Sequence, residues 1–179
     1  MSEIVLYYSA LHKYEFGHGG AGMSDENVKN LRGNMDYTEK VNKINALSND
    51  LDGIYHQASR KLGIPDSVLL VLYEIYVSGG SCPLNSIPKN NGISKQTVNS
   101  AVRRLEADGL ICLEPYKGKS KRVALTEKGS AFAENTAGRL FKTECGVFRG
   151  WTQQEIDIYI ALSERFNISL REQIENWSI

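Results

Sequence analysis

Ser94-Lys-Gln-Thr-Val-Asn-Ser-Ala-Val-Arg-Arg-Leu-Glu-Ala-Asp-Gly109, continued by Leu110-Ile-Cys-Leu-Glu-Pro-Tyr-Lys-Gly-Lys-Ser-Lys-Arg-Val-Ala-Leu125, is where the architecture first becomes readable. Ser94 is a good N-cap, because its hydroxyl can accept a hydrogen bond from an unpaired first-turn amide. Val98, Ala101, Val102 and Leu105 then recur at helical spacing, which predicts a helix over 94–108 with one buried face; Gly109 terminates it. Two short strands, 110–114 and 122–125, follow as a hairpin. Its loop holds Pro115, Lys117, Gly118, Lys119 and Ser120, with Gly118 able to supply the positive φ of a tight turn.

Working upstream, Asn90-Asn91-Gly92 reads as a turn, and 83–89 as a short helix that Pro88 keeps brief or distorted. Before it, Pro65 suits the first turn of a helix whose apolar face is Val68, Leu69, Leu72, Ile75 and Tyr76, stopped by Gly79-Gly80. A long amphipathic helix begins at Asp36, with Val41, Ile44, Leu47, Leu51, Ile54, Tyr55, Ala58 and Leu62 in register, and ends at Gly63. Downstream, Thr126 caps a fifth helix with Phe132, Ala133, Ala137, Leu140 and Phe141 on one side. Thr152-Gln-Gln-Glu155 is a capping box, with Trp151 and Ile156 placed to form a hydrophobic staple. The last helix carries the stripe Ile156, Tyr159, Leu162, Phe166, Leu170, Ile174 and Trp177.

The order helix, short helix, turn, helix, hairpin predicts a winged helix-turn-helix: a mainly α protein with a small β-hairpin wing. The expected organisation is a flexible N-terminal extension over 1–35, a DNA-binding lobe over 64–125, and a helical dimerisation region formed by 36–63 and 126–179. Gly17, Gly19, Gly20 and Gly22 separate the aromatic cluster Tyr7, Tyr8, Tyr14 and Phe16 from the first long helix. Residues 1–22 are therefore expected outside the core fold, and Met23 and Met35 each offer an alternative start.

The chain has 179 residues and 21 basic against 21 acidic groups. Zero net charge argues against a protein that coats DNA without discrimination, yet the charge is segregated. Residues 89–128 carry nine Lys/Arg and four Asp/Glu, a net +5, which leaves −5 on the remainder. On the predicted helix 94–108, Ser94, Lys95, Gln96, Thr97, Asn99, Ser100 and Arg103 lie on the early or exposed side. Gln and Asn can pair with adenine, Arg with guanine, and Thr can meet the thymine methyl. Lys117, Lys119, Lys121 and Arg122 on the hairpin are placed for backbone phosphates or the minor groove. A solvated polar helix face and a charged edge strand that prevents aggregation are the plainer alternatives. The agreement of cap, turn and wing favours DNA.

Ser94 to Ile111, with the basic hairpin and Val123-Ala-Leu-Thr-Glu-Lys-Gly129, resembles the MarR family of bacterial regulators. The resemblance extends over 36–177 in helix order and is specific over 92–129. It implies a homodimer built by the first and last helices, a near-palindromic operator on double-stranded DNA, and, as in some members, a small aromatic effector. Tyr55, Tyr73, Tyr76 and Tyr159 are the residues expected to line such a pocket, against the plainer reading that they are core. Two departures stand out. Where the family's wing motif reads Asp-x-Arg, this chain has Lys117 and Lys119, and lysine does not replace arginine in a narrow groove. Pro88 also interrupts the helix before the turn.

Other chemistry is weakly represented. Cys82, Cys112 and Cys145 are odd in number, far apart and form no CxxC pair, so neither a disulfide framework nor a zinc site is expected, and a reducing cytoplasm is. A thiol-based redox-responsive regulator and a winged-helix protein-interaction module are the competing readings. Cys112 is expected in the core. His12, Glu15 and His18 share a three-residue spacing but run into glycines, and His56 reads as structural or solvated. With no nucleophile elbow, phosphate loop or carboxylate pair, neither catalysis nor a metal or other cofactor is expected. No apolar run reaches the length of a membrane helix, and the acidic Glu3 makes the N-terminus a poor signal peptide.

Overall fold

The computed structural model describes residues 37–91 and 93–178. Ten elements follow in order: α1 (Tyr37–Leu62), α2 (Asp66–Val77), β1 (Ser81–Pro83), α3 (Ser86–Asn91), α4 (Lys95–Ala107), β2 (Ile111–Pro115), β3 (Lys121–Leu125), α5 (Glu127–Asn135), α6 (Ala137–Phe148) and α7 (Gln153–Glu175). The expected extension 1–35, with His12, Glu15 and His18, lies outside the described residues, as do Asp36 and Gly92.

The chain divides into two compact units, the first ending at Gly138 and the second beginning at Arg139. In the first, α2 is the central element. Eight consecutive residues, Val68 to Ile75, are buried, so α2 is covered on every side rather than along one stripe. It packs against α1, α4, α5 and the sheet. Leu69, Leu72, Ile75, Ile87, Val98, Leu105 and Val123 are the large, fully buried side chains that meet here. Each such aliphatic contributes about 1.5–3 kcal/mol by leaving water.

Pro65 is the extended N-cap of α2, with φ −63° and ψ 150°, one position ahead of the first-turn placement expected from the sequence. The junction between α1 and α2 is held by polar groups. His56 Nδ1 lies 2.8 Å from Asp66 Oδ2, and the buried Ser59 hydroxyl bonds the other Asp66 oxygen. Ser59 Oγ is also 2.9 Å from the His56 carbonyl. His56 is thus structural, clamping the start of α2 to the end of α1.

Three features depart from the sequence reading. The sheet has three antiparallel strands in the order β1-β3-β2, not two. β1 pairs Ser81 with Ala124, Cys82 with Val123 and Pro83 with Arg122. A three-residue strand has too little alternation to read; its partner makes it. The short helix is Ser86–Asn91 rather than 83–89, and Asn90 and Asn91 belong to it. Pro88 falls in its first turn, where no amide hydrogen bond is lost, so it starts this helix instead of breaking it. The expected single fifth helix is two. Thr136, at φ −116° and ψ −87°, separates α5 from α6 while its hydroxyl donates to the Phe132 carbonyl at 2.8 Å. Gly138 then passes the Tyr76 ring so closely that a Cβ would lie 2.8 Å from it.

The second unit contains α6 beyond Arg139, and α7. Thr152 and Glu155 form the expected capping box: the Thr152 hydroxyl accepts from the Glu155 amide and the Glu155 carboxylate accepts from the Thr152 amide. Trp151 meets Phe148 and Tyr159 edge-on, with ring centroids 5.4 and 5.6 Å apart, which turns the chain from α6 into α7. Among the described residues, no helix is long and apolar enough to cross a membrane.

Candidate nucleic-acid interface

The helix α4 divides as its spacing requires. Val98, Ala101, Val102 and Leu105 are buried. Lys95, Gln96, Asn99, Ser100 and Arg103 are exposed, and Thr97 is half-buried. Ser94 caps the helix, its hydroxyl accepting from the Thr97 amide at 3.0 Å. The same oxygen lies 2.9 Å from the Thr97 hydroxyl. Ser94 and Thr97 therefore shape the start of the helix, while the five exposed side chains present donors and acceptors outward.

The other end of α4 is anchored by the segment after the hairpin, where Thr126 caps α5 as its sequence position predicts. Lys128 Nζ donates to the Asp108 carbonyl at 2.8 Å, placing a cation at the negative end of the helix. Thr126 Oγ1 donates to the Gly109 carbonyl at 2.8 Å and accepts from the Gly129 amide at 2.9 Å, so it caps α5 while holding the end of α4. Gly129 is packed on Leu110: a Cβ there would lie 1.7 Å from the Leu110 carbonyl oxygen. The segment Thr126-Glu-Lys-Gly129 thus fixes α4 relative to the hairpin. One of the nine basic residues over 89–128, Lys128, serves this bond.

The wing is formed by β2 and β3, with Ile111 opposite Leu125, Leu113 opposite Val123, Glu114 opposite Arg122 and Pro115 opposite Lys121. Val123 and Ile111 face the core. At the tip the Tyr116 amide donates to the Ser120 carbonyl at 2.9 Å, and Gly118 takes φ 65°. Lys117, Lys119 and Lys121 are exposed, and Arg122 is half-buried. The guanidinium carbon of Arg122 sits 4.9 Å from the Tyr116 ring centroid, and Lys117 Nζ lies 5.8 Å from it. Arg122 is consequently part of the wing's own packing rather than a free basic tip.

The four tyrosines have different surroundings. Tyr73 is buried in α2, and Tyr55 is half-exposed on α1. Tyr76 donates from its hydroxyl to Glu134 at 2.8 Å and lies over Gly138. Tyr159 packs on Trp151 in the second unit. None of the three cysteines is in a disulfide: Cys82 is buried in β1, Cys112 is half-buried rather than in the core, and Cys145 is exposed. Cys112 Sγ lies 3.7 Å from the Ala124 carbonyl across the hairpin. Among the described residues, no group of three or more His, Cys, Asp or Glu is arranged to hold a metal ion.

A three-stranded sheet, a capped helix with an outward polar face, and a lysine-tipped hairpin together define a winged helix-turn-helix protein. Residues 62–119 match the family model described as "MarR family". Solved structures with the same fold include NMB1585, a MarR family regulator from Neisseria meningitidis, with TM-score 0.68 and 18% identity, covering 76% of this chain and 96% of that one. The S. aureus MepR–DNA complex has TM-score 0.60 and 19% identity, covering 75% and 98%. Bordetella bronchiseptica BpsR, whose DNA binding is regulated by 6-hydroxynicotinic acid, has TM-score 0.54 and 21% identity, covering 75% and 98%. A search of curated proteins by sequence found no match.

Proposed function

We propose that this chain is a sequence-specific, DNA-binding transcriptional regulator with no enzymatic activity of its own. The observation that carries the reading is the division of α4: four apolar residues fix it to the body, while Lys95, Gln96, Asn99, Ser100 and Arg103 stand exposed beside a hairpin tipped with Lys117, Lys119 and Lys121. Such a helix enters the major groove, where its side chains reach base edges, and the wing lysines neutralise phosphates. That one solved neighbour is a DNA complex supports the reading.

The active form in this proposal is a homodimer on a near-palindromic operator. Val41, Ile44, Leu47 and Ile54 on α1 are exposed in the single chain. So are Ile158, Leu162, Phe166, Leu170 and Ile174 on α7, at a strict four-residue spacing. Uncovered apolar helix faces of this extent mark association surfaces, and a two-fold partner covers them with the same residues. Release by a small aromatic effector belongs to the same proposal, supported by the ligand-regulated neighbour; of the four candidate tyrosines, Tyr73 is buried, and Tyr55, Tyr76 and Tyr159 are half-buried.

The test is selection of bound sequences from random duplexes, followed by titration of the selected and random DNA at several salt concentrations. A regulator enriches a two-fold-related motif, and its affinity falls with salt by about 0.9 log units per log unit of salt for each phosphate neutralised. A winged helix that binds protein instead enriches nothing and shows no such slope.

A further inference from the structure

The outer face of the sheet carries an arrangement for which α4 has no use. Alternation along the hairpin puts Glu114 and Tyr116 of β2 and its extension on one face with Ser120 and Arg122 of the other arm. Arg122 is on the central strand, opposite Pro83 of β1 on one side and Glu114 of β2 on the other. It is half-buried there, and its Nε is buried with no hydrogen-bond partner among the described residues. An arginine placed to hold phosphate keeps its whole fork open to the ligand. This one instead rests on the Tyr116 ring at 4.9 Å, within the range of a cation–π contact.

Tyr116 is the residue immediately before the tip. Its amide closes the loop onto the Ser120 carbonyl, and its ring centroid lies within reach of two cations, the Arg122 guanidinium at 4.9 Å and the Lys117 ammonium at 5.8 Å. The ring therefore connects the rigid three-stranded sheet, through Arg122, to the first lysine of the tip. A bare two-stranded hairpin tip is marginally ordered in water. Ordering two lysines on phosphates from a loose loop costs conformational entropy at the moment of binding.

Resting on the DNA-binding reading, we propose that Tyr116 is a positioning residue: stacked on Arg122, it pre-orders the wing so that Lys117 and Lys119 meet the DNA backbone, without itself touching a base. In this arrangement Arg122 braces the wing, and the phosphate-facing charges are the lysines.

The test compares Tyr116→Phe, Tyr116→Ala and Arg122→Met in the full chain, each alone and combined with Lys117→Ala/Lys119→Ala, by duplex titration across salt. Phe keeps the ring and is expected to bind like the parent. Ala and Met are expected to weaken duplex binding about two- to fivefold, the size of one exposed cation–π contact. They should also flatten the salt slope, by up to about 0.9 for each lysine that loses its phosphate. In the background lacking both lysines they should cost nothing further. Hydrogen exchange at the tip amides of the free protein should quicken in Ala and Met but not in Phe. The proposal is overturned if Tyr116→Ala leaves affinity, slope and exchange unchanged, or if it weakens binding equally with and without the lysines. If the parent protein shows no salt-dependent duplex binding, the DNA reading fails and the positioning role falls with it; faster exchange in Tyr116→Ala would then leave only the brace.

Discussion

Arg103 and Lys119 are both exposed cations, but they sit on different parts of the candidate interface. Arg103 follows the helical face that starts with Gln96, Asn99 and Ser100, where a guanidinium can read a guanine. Lys119 is on the wing tip, where the proposed function has a point charge meet phosphate. Arg103→Ala is therefore expected to cost about 1–3 kcal/mol on the selected site and little on random DNA. Lys119→Ala should weaken both alike and reduce the salt slope by about one. Titration of the two variants on both duplexes measures this, and equal losses for Arg103→Ala on the two DNAs would remove it from base readout. Gly129 makes a prediction of another kind. A Cβ there overlaps the Leu110 carbonyl, so backbone must move at the point where α4, the hairpin and α5 meet. Gly129→Ala should lose stability at or above the upper end of the usual overpacking cost, about 1–3 kcal/mol, read as a lower melting temperature.

At the scale of elements, α7 depends on its cap. The Glu155 carboxylate is held below its ordinary range, first by the hydrogen bond from the Thr152 amide and then by the bond with the Thr152 hydroxyl. A carboxyl depressed in the folded state contributes stability that is complete above its unfolded-state value and is lost as pH falls through the folded-state value. Acidification through the carboxylate range should therefore fray the start of α7. Glu155→Gln, which keeps a capping acceptor without a titrating proton, should lower stability less steeply over that range. Circular dichroism of parent and variant across pH checks it; identical profiles would show that the cap does not contribute. Thr152→Ala should cost about 1 kcal/mol at neutral pH, because it leaves a first-turn amide unpaired.

At the scale of the whole molecule, the apolar residues exposed on α1 and α7 are the surfaces that the proposed dimer would cover. Light scattering at micromolar concentration should report twice the chain mass. Placing charge within the four-residue stripe of α7, as in Leu162→Lys with Phe166→Lys, should produce monomers that keep the fold of the first unit. Those monomers should retain weak binding to a half-site and lose the tight two-fold site, since a dimer's affinity derives from linking two modest ones. A parent protein that is monomeric yet binds the two-fold site tightly would contradict the dimer.

What the sequence determined by itself was whatever rests on local spacing. The buried stripe of α4, the cap at Ser94, the capping box at Thr152 and Glu155 and the lysine-rich hairpin were all readable, because helix period, cap chemistry and turn glycine act within a few residues. The tertiary structure alone decided the rest. β1 exists because β3 pairs with it; Thr136 ends α5 where the chain must pass Tyr76; Lys128 and Gly129 matter because the end of α4 folds onto them. Arg122 looked like one more basic residue in a run until the hairpin register laid it across Tyr116. In each of these the partner is distant along the chain, and a pattern read along one strand or one helix carries no record of which distant group will lie against it.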